Sequence, residues 1–87
     1  MAIYMRDGLD MRPREIAAIA ELAVAGNKPQ LTDHIITGLI AGLTKEEIRE
    51  ILVQITVFAG FPAAINAITT ACEGFALWYE KMKGTEP

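Results

Sequence analysis

Hydrophobic residues recur at helical spacing along most of the chain, and glycines mark where the pattern stops. The first predicted helix starts between Asp10 and Pro13 and ends before Gly26, and the second starts near Pro29 and ends before Gly42. In both segments the apolar positions return every three or four residues, which is the period of one helix face. No strand pattern competes with it, so the sequence predicts an all-α fold.

The start of the third helix carries the strongest local signal. Thr44 is followed three residues later by Glu47, the spacing of a capping box in which each side chain accepts a hydrogen bond from the other residue's backbone amide. Glu46, Glu47 and Glu50 lie in the first turns of this helix, where negative charge complements the helix dipole. We therefore assign these carboxylates to helix stabilisation. Beyond them the helix is apolar nearly all round, which is typical of a central helix or of a subunit contact.

The fourth helix is predicted from Pro62 to about Lys83, with Gly84 as its stop. Cys72 falls on an apolar stripe of this helix, so we expect a buried, unreactive thiol. The full stripe comprises Ile65, Ile68, Cys72, Phe75 and Tyr79.

The stretch from Ile51 to Cys72 carries no charged residue and must be tested as a membrane span. Gly60 and Pro62 interrupt it near the middle. Two helix ends that meet at a turn explain it better than a span, which needs about 20 uninterrupted apolar residues. No secretory signal opens the chain. We therefore expect a cytoplasmic protein without a membrane partner.

The composition excludes several classes of function. There are 8 Lys and Arg against 11 Asp and Glu, a net charge of −3, so no basic stripe is available for nucleic acid. A single cysteine cannot form an internal disulfide or a Cys-x-x-Cys pair, and a single histidine cannot build a multi-His metal site. We expect no nucleic-acid partner, no metal and no cofactor.

The length predicts one domain, residues 1–87, in which residues 1–10 form an extended N-terminal arm. A domain of this size buries only about 60% of its unfolded surface, so the free energy gained by burial roughly equals the cost of ordering the chain. Hydrophobic residues nevertheless make up 52% of the sequence. We therefore expect a homo-oligomer that buries further apolar surface between its copies.

His34, in the second turn of the second helix, and Glu15, near the start of the first, are the candidate catalytic residues. A hairpin that turns near Asn27 places His34 opposite residue 20, so Glu15 lies about 7 Å further along the helix axis. A direct hydrogen bond then needs a small crossing angle, and otherwise a water must bridge the two. A buried carboxylate can set the tautomer of an imidazole and make it a good general acid or base. The alternative is an exposed histidine beside Asp33 with no chemical role.

Three sequence motifs follow one another along the chain: LTDH at 31–34, GLTKEEI at 42–48 and FAGFPAA at 58–64. Together they resemble the carboxymuconolactone decarboxylase family, whose pattern is a helix with an early His, a Gly-x-Thr-x-Glu-Glu-Ile helix start and a Tyr/Phe-x-Gly-x-Pro-Ala-Ala turn. REI at 14–16 is similar to the family's Arg-Glu-Leu opening of the preceding helix. The resemblance covers about residues 10–70. Each motif alone is weak, but the combination is specific.

The resemblance implies an AhpD-like helical bundle subunit of about four helices, assembled as a trimer or hexamer. It puts Glu15 and His34 where AhpD-like relatives have a proton-relay Glu and His. Those relatives also carry a Cys-x-x-Cys pair, at positions that here are Asn27 and Gln30. Because no two thiols can cycle, we do not expect thiol peroxidase activity. Decarboxylases of the family carry additional N-terminal sequence over the active site, where this chain has only its short arm.

Three functions are to be distinguished. The first is a cofactor-free, decarboxylase-like lyase in which His34 acts as general acid–base, oriented by Glu15, on a small carboxylated substrate. The second is a non-catalytic oligomeric module of the same fold that binds a small molecule or a partner. A third, a redox protein, would depend on Cys72, the one thiol in the sequence.

Overall fold

The computed structural model describes residues 3–84, which form a helical bundle. The four predicted helices are present, and the described residues contain no strand, so the all-α prediction is confirmed. A short 3-10 turn precedes the bundle at Ile3–Met5. The helices are α1 (Met11–Ala25), α2 (Lys28–Ile40), α3 (Lys45–Ala59) and α4 (Phe61–Gly84).

Local sequence signals explain where the helices begin and end. Gly26 ends α1 with a φ of 74°, a left-handed conformation that glycine adopts without strain. Asn27 then caps α2, because its side chain accepts a hydrogen bond from the Gln30 amide at 3.2 Å. The predicted capping box of α3 is confirmed: the Glu47 amide donates to the Thr44 hydroxyl at 3.0 Å, and the Thr44 amide donates to the Glu47 carboxylate at 2.9 Å. The Asn27 cap fixes the tight turn that brings α1 against α2, and the capping box fixes the start of α3 after the turn that follows α2.

The core lies between the four helices and is mostly aliphatic. Gly74 allows α4 to approach α2 closely, because a Cβ added at Gly74 would lie only 2.9 Å from Cγ2 of Ile35. The approach matters for the site, since Ile35 is the residue after His34. The core residues are Ile19, Ala23, Leu31, Ile35, Leu43, Ile48, Leu52, Ile55, Ala64, Ala67, Ala71 and Phe75.

The prediction that Cys72 is buried is wrong, and the apolar stripe of α4 lies largely on the surface. Cys72 is exposed rather than buried, and Ile65, Ile68 and Tyr79 are exposed with it. Close packing against α2 and α3 is the reason, because it admits small side chains and leaves the large ones outside. The residues of α4 that turn inward are Ala64, Ala67, Thr70, Ala71, Gly74 and Phe75.

The N-terminal arm is not extended, as the sequence suggested, but folded back on α1. Its 3-10 turn at Ile3–Met5 is closed by a hydrogen bond from the Arg6 amide to the Ile3 carbonyl at 3.3 Å. Among residues 3–84, no helix is long and apolar enough to cross a membrane.

Candidate functional site

Glu15 of α1 and His34 of α2 are directly hydrogen-bonded. Nδ1 of His34 lies 2.8 Å from Oε1 of Glu15. The Glu15 side chain is completely buried, whereas the His34 side chain keeps 20% of its surface exposed. The structure therefore brings the two sequence-predicted site residues together. The alternative of a freely exposed histidine beside Asp33 does not describe this side chain.

Gly38 of α2 lies opposite Glu15 of α1. A Cβ added at Gly38 would lie 3.9 Å from Cβ of Glu15, so these two residues face each other across the α1–α2 contact. His34 lies one helical turn from Gly38 along α2, and the Glu15 carboxylate reaches back to it. The expected offset of about 7 Å counted only the rise of the backbone. It omitted the reach of the two side chains, which closes the gap without a bridging water.

The hydrogen bond leaves one nitrogen of the imidazole for chemistry. In the tautomer that carries its hydrogen on Nδ1, the His34 imidazole donates to the Glu15 carboxylate, which accepts. Nε2 then presents a lone pair, and it makes no hydrogen bond within residues 3–84. A ring held in one orientation with Nε2 free is the arrangement that general acid–base catalysis needs.

The burial of Glu15 is costly for the fold. Oε1 is bonded to His34, but Oε2 is buried without a hydrogen-bond partner in the described part of the chain. An unsatisfied buried oxygen costs about 1–3 kcal/mol. A hydrophobic residue would fill this position with less penalty, so packing alone does not account for a carboxylate here. Costly buried carboxylates are typical of functional sites.

Asn27 and Gln30, which stand where the resemblance would place a Cys-x-x-Cys pair, lie at the start of α2. The Oδ1 atom of Asn27 accepts the hydrogen bond from the Gln30 amide that caps α2. Cys72, the one cysteine in the sequence, lies on α4 and is exposed. Within the described residues no group of three or more His, Cys, Asp or Glu could hold a metal ion.

Tyr4 is a neighbour of the site that the sequence analysis missed. Its ring centroid lies 6.3 Å from that of His34, with the planes tilted by 54°. Burial, and next the negative charges of Glu15 and Glu21, raise the pKa of the Tyr4 phenol above its ordinary value. No periodicity could have placed Tyr4 here, because it belongs to the folded arm and not to a helix.

Arg12 anchors the first turn of α1 beside the site. Its guanidinium donates to the Gly42 carbonyl at 2.6 Å and to the Glu47 carboxylate at 2.7 Å. Arg12 and the Thr44 amide hold the pKa of Glu47 at about 2. The contact joins α1 to the turn after α2 and to the capping box of α3.

Comparison with known proteins identifies relatives that share this helical region. The sequence model of the carboxymuconolactone decarboxylase family matches residues 1–73. A Paracoccus denitrificans protein described as an uncharacterized 15.0 kDa protein in the nqo9-nqo10 intergenic region is 36% identical over 75 residues, which are 84% of this chain and 56% of the relative. The 4-carboxymuconolactone decarboxylase of Acinetobacter baylyi is 32% identical over 73 residues, 84% of this chain and 54% of the relative. The chain thus spans about half the length of the curated relatives it matches.

Proposed function

The chain belongs to the carboxymuconolactone decarboxylase family, and from that premise we propose that it is a cofactor-free lyase acting on a small carboxylated substrate. His34 is the general acid–base in this proposal, and Glu15 is its partner. The observation that carries it is the 2.8 Å hydrogen bond from the imidazole to a completely buried carboxylate. The name of the Acinetobacter baylyi relative supports decarboxylation of a lactone acid as the reaction.

The proton transfer assigned to His34 follows from the chemistry of carbon dioxide loss. When the bond between the substrate carbon and its carboxylate breaks, the electron pair stays on the substrate as an enolate. The imidazolium form of His34 gives its Nε2 proton to carbon and becomes neutral, and water then supplies the next proton. One carboxylate and one proton thus yield carbon dioxide and the protonated product. Glu15 stabilises the imidazolium through Nδ1, as a carboxylate does in other acid–base pairs.

Turnover of 4-carboxymuconolactone by single-residue variants tests this assignment. His34→Ala should lose roughly 10²- to 10⁴-fold in carbon dioxide release, the range that a positioned acid–base group contributes. Glu15→Gln should lose less, because an amide oxygen still accepts from Nδ1 but carries no charge. Asp33→Asn, at an exposed neighbour of His34, is the matched control and should turn over normally.

The same assay can exclude the proposal. Equal turnover in His34→Ala and the unchanged protein would remove His34 from the chemistry. An unchanged protein that releases no carbon dioxide from this lactone would remove the assigned reaction. Circular dichroism and molecular mass of each variant separate a lost catalytic group from a lost fold.

A non-catalytic binding module is the second candidate, and the position of the cavities favours it. Cavities of about 530 Å³ between α1 and α3 and about 280 Å³ beside the α1–α2 turn are lined by residues other than Glu15 and His34. A small molecule bound in either would not need the imidazole. Ligand affinity that survives replacement of Glu15 and His34 together, in a protein without lyase activity, would support this function.

A further inference from the structure

The arm, which we define as residues 3–10, is fastened to α1 by one side chain. Arg14 donates from Nε to the Leu9 carbonyl and from Nη2 to the Arg6 carbonyl, both at 3.0 Å. Both acceptors are backbone atoms of the arm, so Arg14 fixes its path rather than a particular side chain. Arg14 precedes Glu15, and the fastening point is therefore adjacent to the site.

The arm carries Tyr4 to the imidazole. The separation of 6.3 Å between the two ring centroids lies within the 4.5–7 Å range of interacting aromatic pairs. The Tyr4 side chain is half-buried, and its hydroxyl makes no hydrogen bond within residues 3–84. A cavity of about 250 Å³ lies beneath the arm, and its lining includes Tyr4, Arg14 and Glu21.

The hydroxyl of Tyr4 is suited to donate a hydrogen bond. Because burial and the carboxylates of Glu15 and Glu21 raise the pKa of Tyr4, the phenol keeps its proton at neutral and mildly alkaline pH. The protonated phenol of Tyr4 and the free Nε2 of His34 thus give one donor and one acid–base group on neighbouring rings. Small molecules with a carboxylate or enolate oxygen next to the reacting carbon fit such a pair.

We propose that Tyr4 is the third residue of the Glu15–His34 site: its ring covers the imidazole, its hydroxyl donates to an oxygen of the substrate, and Arg14 holds it in place. Tyr4 is a specificity residue and Arg14 a positioning residue. The part of the proposal that concerns the hydroxyl rests on the proposed lyase function. The part that concerns the ring does not, because covering the imidazole needs no turnover.

Chemical modification of His34 tests the ring independently of activity. Diethyl pyrocarbonate acylates accessible imidazoles, and because His34 is the one histidine in the sequence, mass spectrometry of its peptide reports the rate without ambiguity. Tyr4→Ala should react severalfold faster than the unchanged protein. Tyr4→Phe keeps the ring and should react at the unchanged rate. Met5→Ala is the matched control, since Met5 is the next arm residue and is 79% exposed.

Arg14→Gln tests the fastening. Arg14→Gln should reproduce the faster acylation of Tyr4→Ala. Combining the two substitutions should add little more, because each of them takes the Tyr4 ring away from the imidazole. A melting temperature close to that of the unchanged protein distinguishes an opened arm from an unfolded bundle. An Arg14→Gln protein with slow acylation would overturn the positioning role, and a Tyr4→Ala protein with slow acylation would overturn the cover.

Turnover of 4-carboxymuconolactone tests the hydroxyl. Tyr4→Phe should lower kcat/KM while leaving acylation of His34 unchanged, and a normal kcat/KM would overturn the donor role. If the unchanged protein does not turn over this lactone, the lyase proposal and the donor role fail together. The acylation rates still decide the cover and the fastening, so the two failures are distinguishable.

Discussion

Glu15 and His34 are individually ordinary residues, and their hydrogen bond makes them a pair beside Gly38, a position without a side chain. A Cβ added at Gly38 would press on Leu43 and Ile19 and would touch Cβ of Glu15 at an ordinary van der Waals distance of 3.9 Å. Residue types alone therefore named the two candidates but not their distance. Counting helix rise predicted a gap, because the reach and direction of side chains depend on rotamers that spacing does not encode. The sequence did not indicate that Tyr4 lies near His34, because the position of Tyr4 depends on how the arm folds.

The ion pair between Arg12 and Glu47 makes the free energy of unfolding depend on pH in the acidic range. The pKa of Glu47 is lowered from 4.5 to about 2, chiefly by the hydrogen bond from Arg12 and next by that from the Thr44 amide. A lowered pKa in the folded state stabilises the protein above pH 4.5, and this contribution is lost as the pH falls from there to about 2. Glu47→Gln should therefore be less stable than the unchanged protein at pH 6.

Urea unfolding of both proteins between pH 6 and pH 2 checks this prediction. The difference in unfolding free energy should be constant near neutrality and shrink as the pH approaches 2, where Glu47 itself becomes protonated. Glu46→Gln is the matched control, because Glu46 lies in the same helical turn and is 80% exposed at its side chain. A difference that is unchanged at pH 2 would mean that the amide disturbs the capping box rather than the ion pair.

At the scale of the helices, two glycines make similar contacts with different tolerance. A Cβ at Gly74 would lie 2.9 Å from Cγ2 and 3.2 Å from Cβ of Ile35, a β-branched side chain that cannot rotate away. The tight contacts of a Cβ at Gly38 would be with the terminal methyl groups of Leu43 and Ile19, at 3.0 and 3.1 Å. Overpacking costs about 1–3 kcal/mol, and alanine recovers about 1 kcal/mol of helix propensity. Gly74→Ala should thus lower the unfolding free energy, and Gly38→Ala should lower it less.

Thermal melts of the two alanine variants compare them directly. A lower melting temperature for Gly74→Ala than for Gly38→Ala is the expected order. The reverse order would mean that α4 can shift away from α2 more easily than Leu43 and Ile19 can adjust. Because Gly38 faces Glu15, the diethyl pyrocarbonate reaction of His34 in Gly38→Ala also reports whether the site moves when this contact widens.

The helices themselves followed from the sequence, whereas the face that α4 buries did not. Gly stops, the Thr44 capping box and Pro62 are local signals, and each acts within a few residues of its own position. The inward face of α4 depends on how closely α2 and α3 approach. Large residues such as Ile65 and Ile68 predicted the wrong side, because a close contact selects Ala67, Ala71 and Gly74 instead.

At the scale of the whole molecule, the single chain exposes more surface than its mass requires. Its accessible area is 5823 Å², whereas a compact monomer of this mass exposes about 5,000 Å². Much apolar surface lies on the two helices joined at Gly60. We define this as the α3–α4 surface, formed by Val53, Val57, Phe58, Phe61, Ile65 and Ile68, all of which are exposed.

We expect copies of this chain to associate through the α3–α4 surface, because exposed apolar patches of this kind mark interaction sites. Phe58 is 83% exposed, and Phe58→Glu would place a charge within the contact. Light scattering should therefore give a multiple of the chain mass for the unchanged protein and a lower mass for Phe58→Glu. Ile40→Glu, at a residue that is 69% exposed on α2, is the matched control and should keep the higher mass.

A single-chain mass for the unchanged protein at all concentrations would contradict the expectation. A lower assembly mass in both variants would mean that the contact is not confined to the α3–α4 surface.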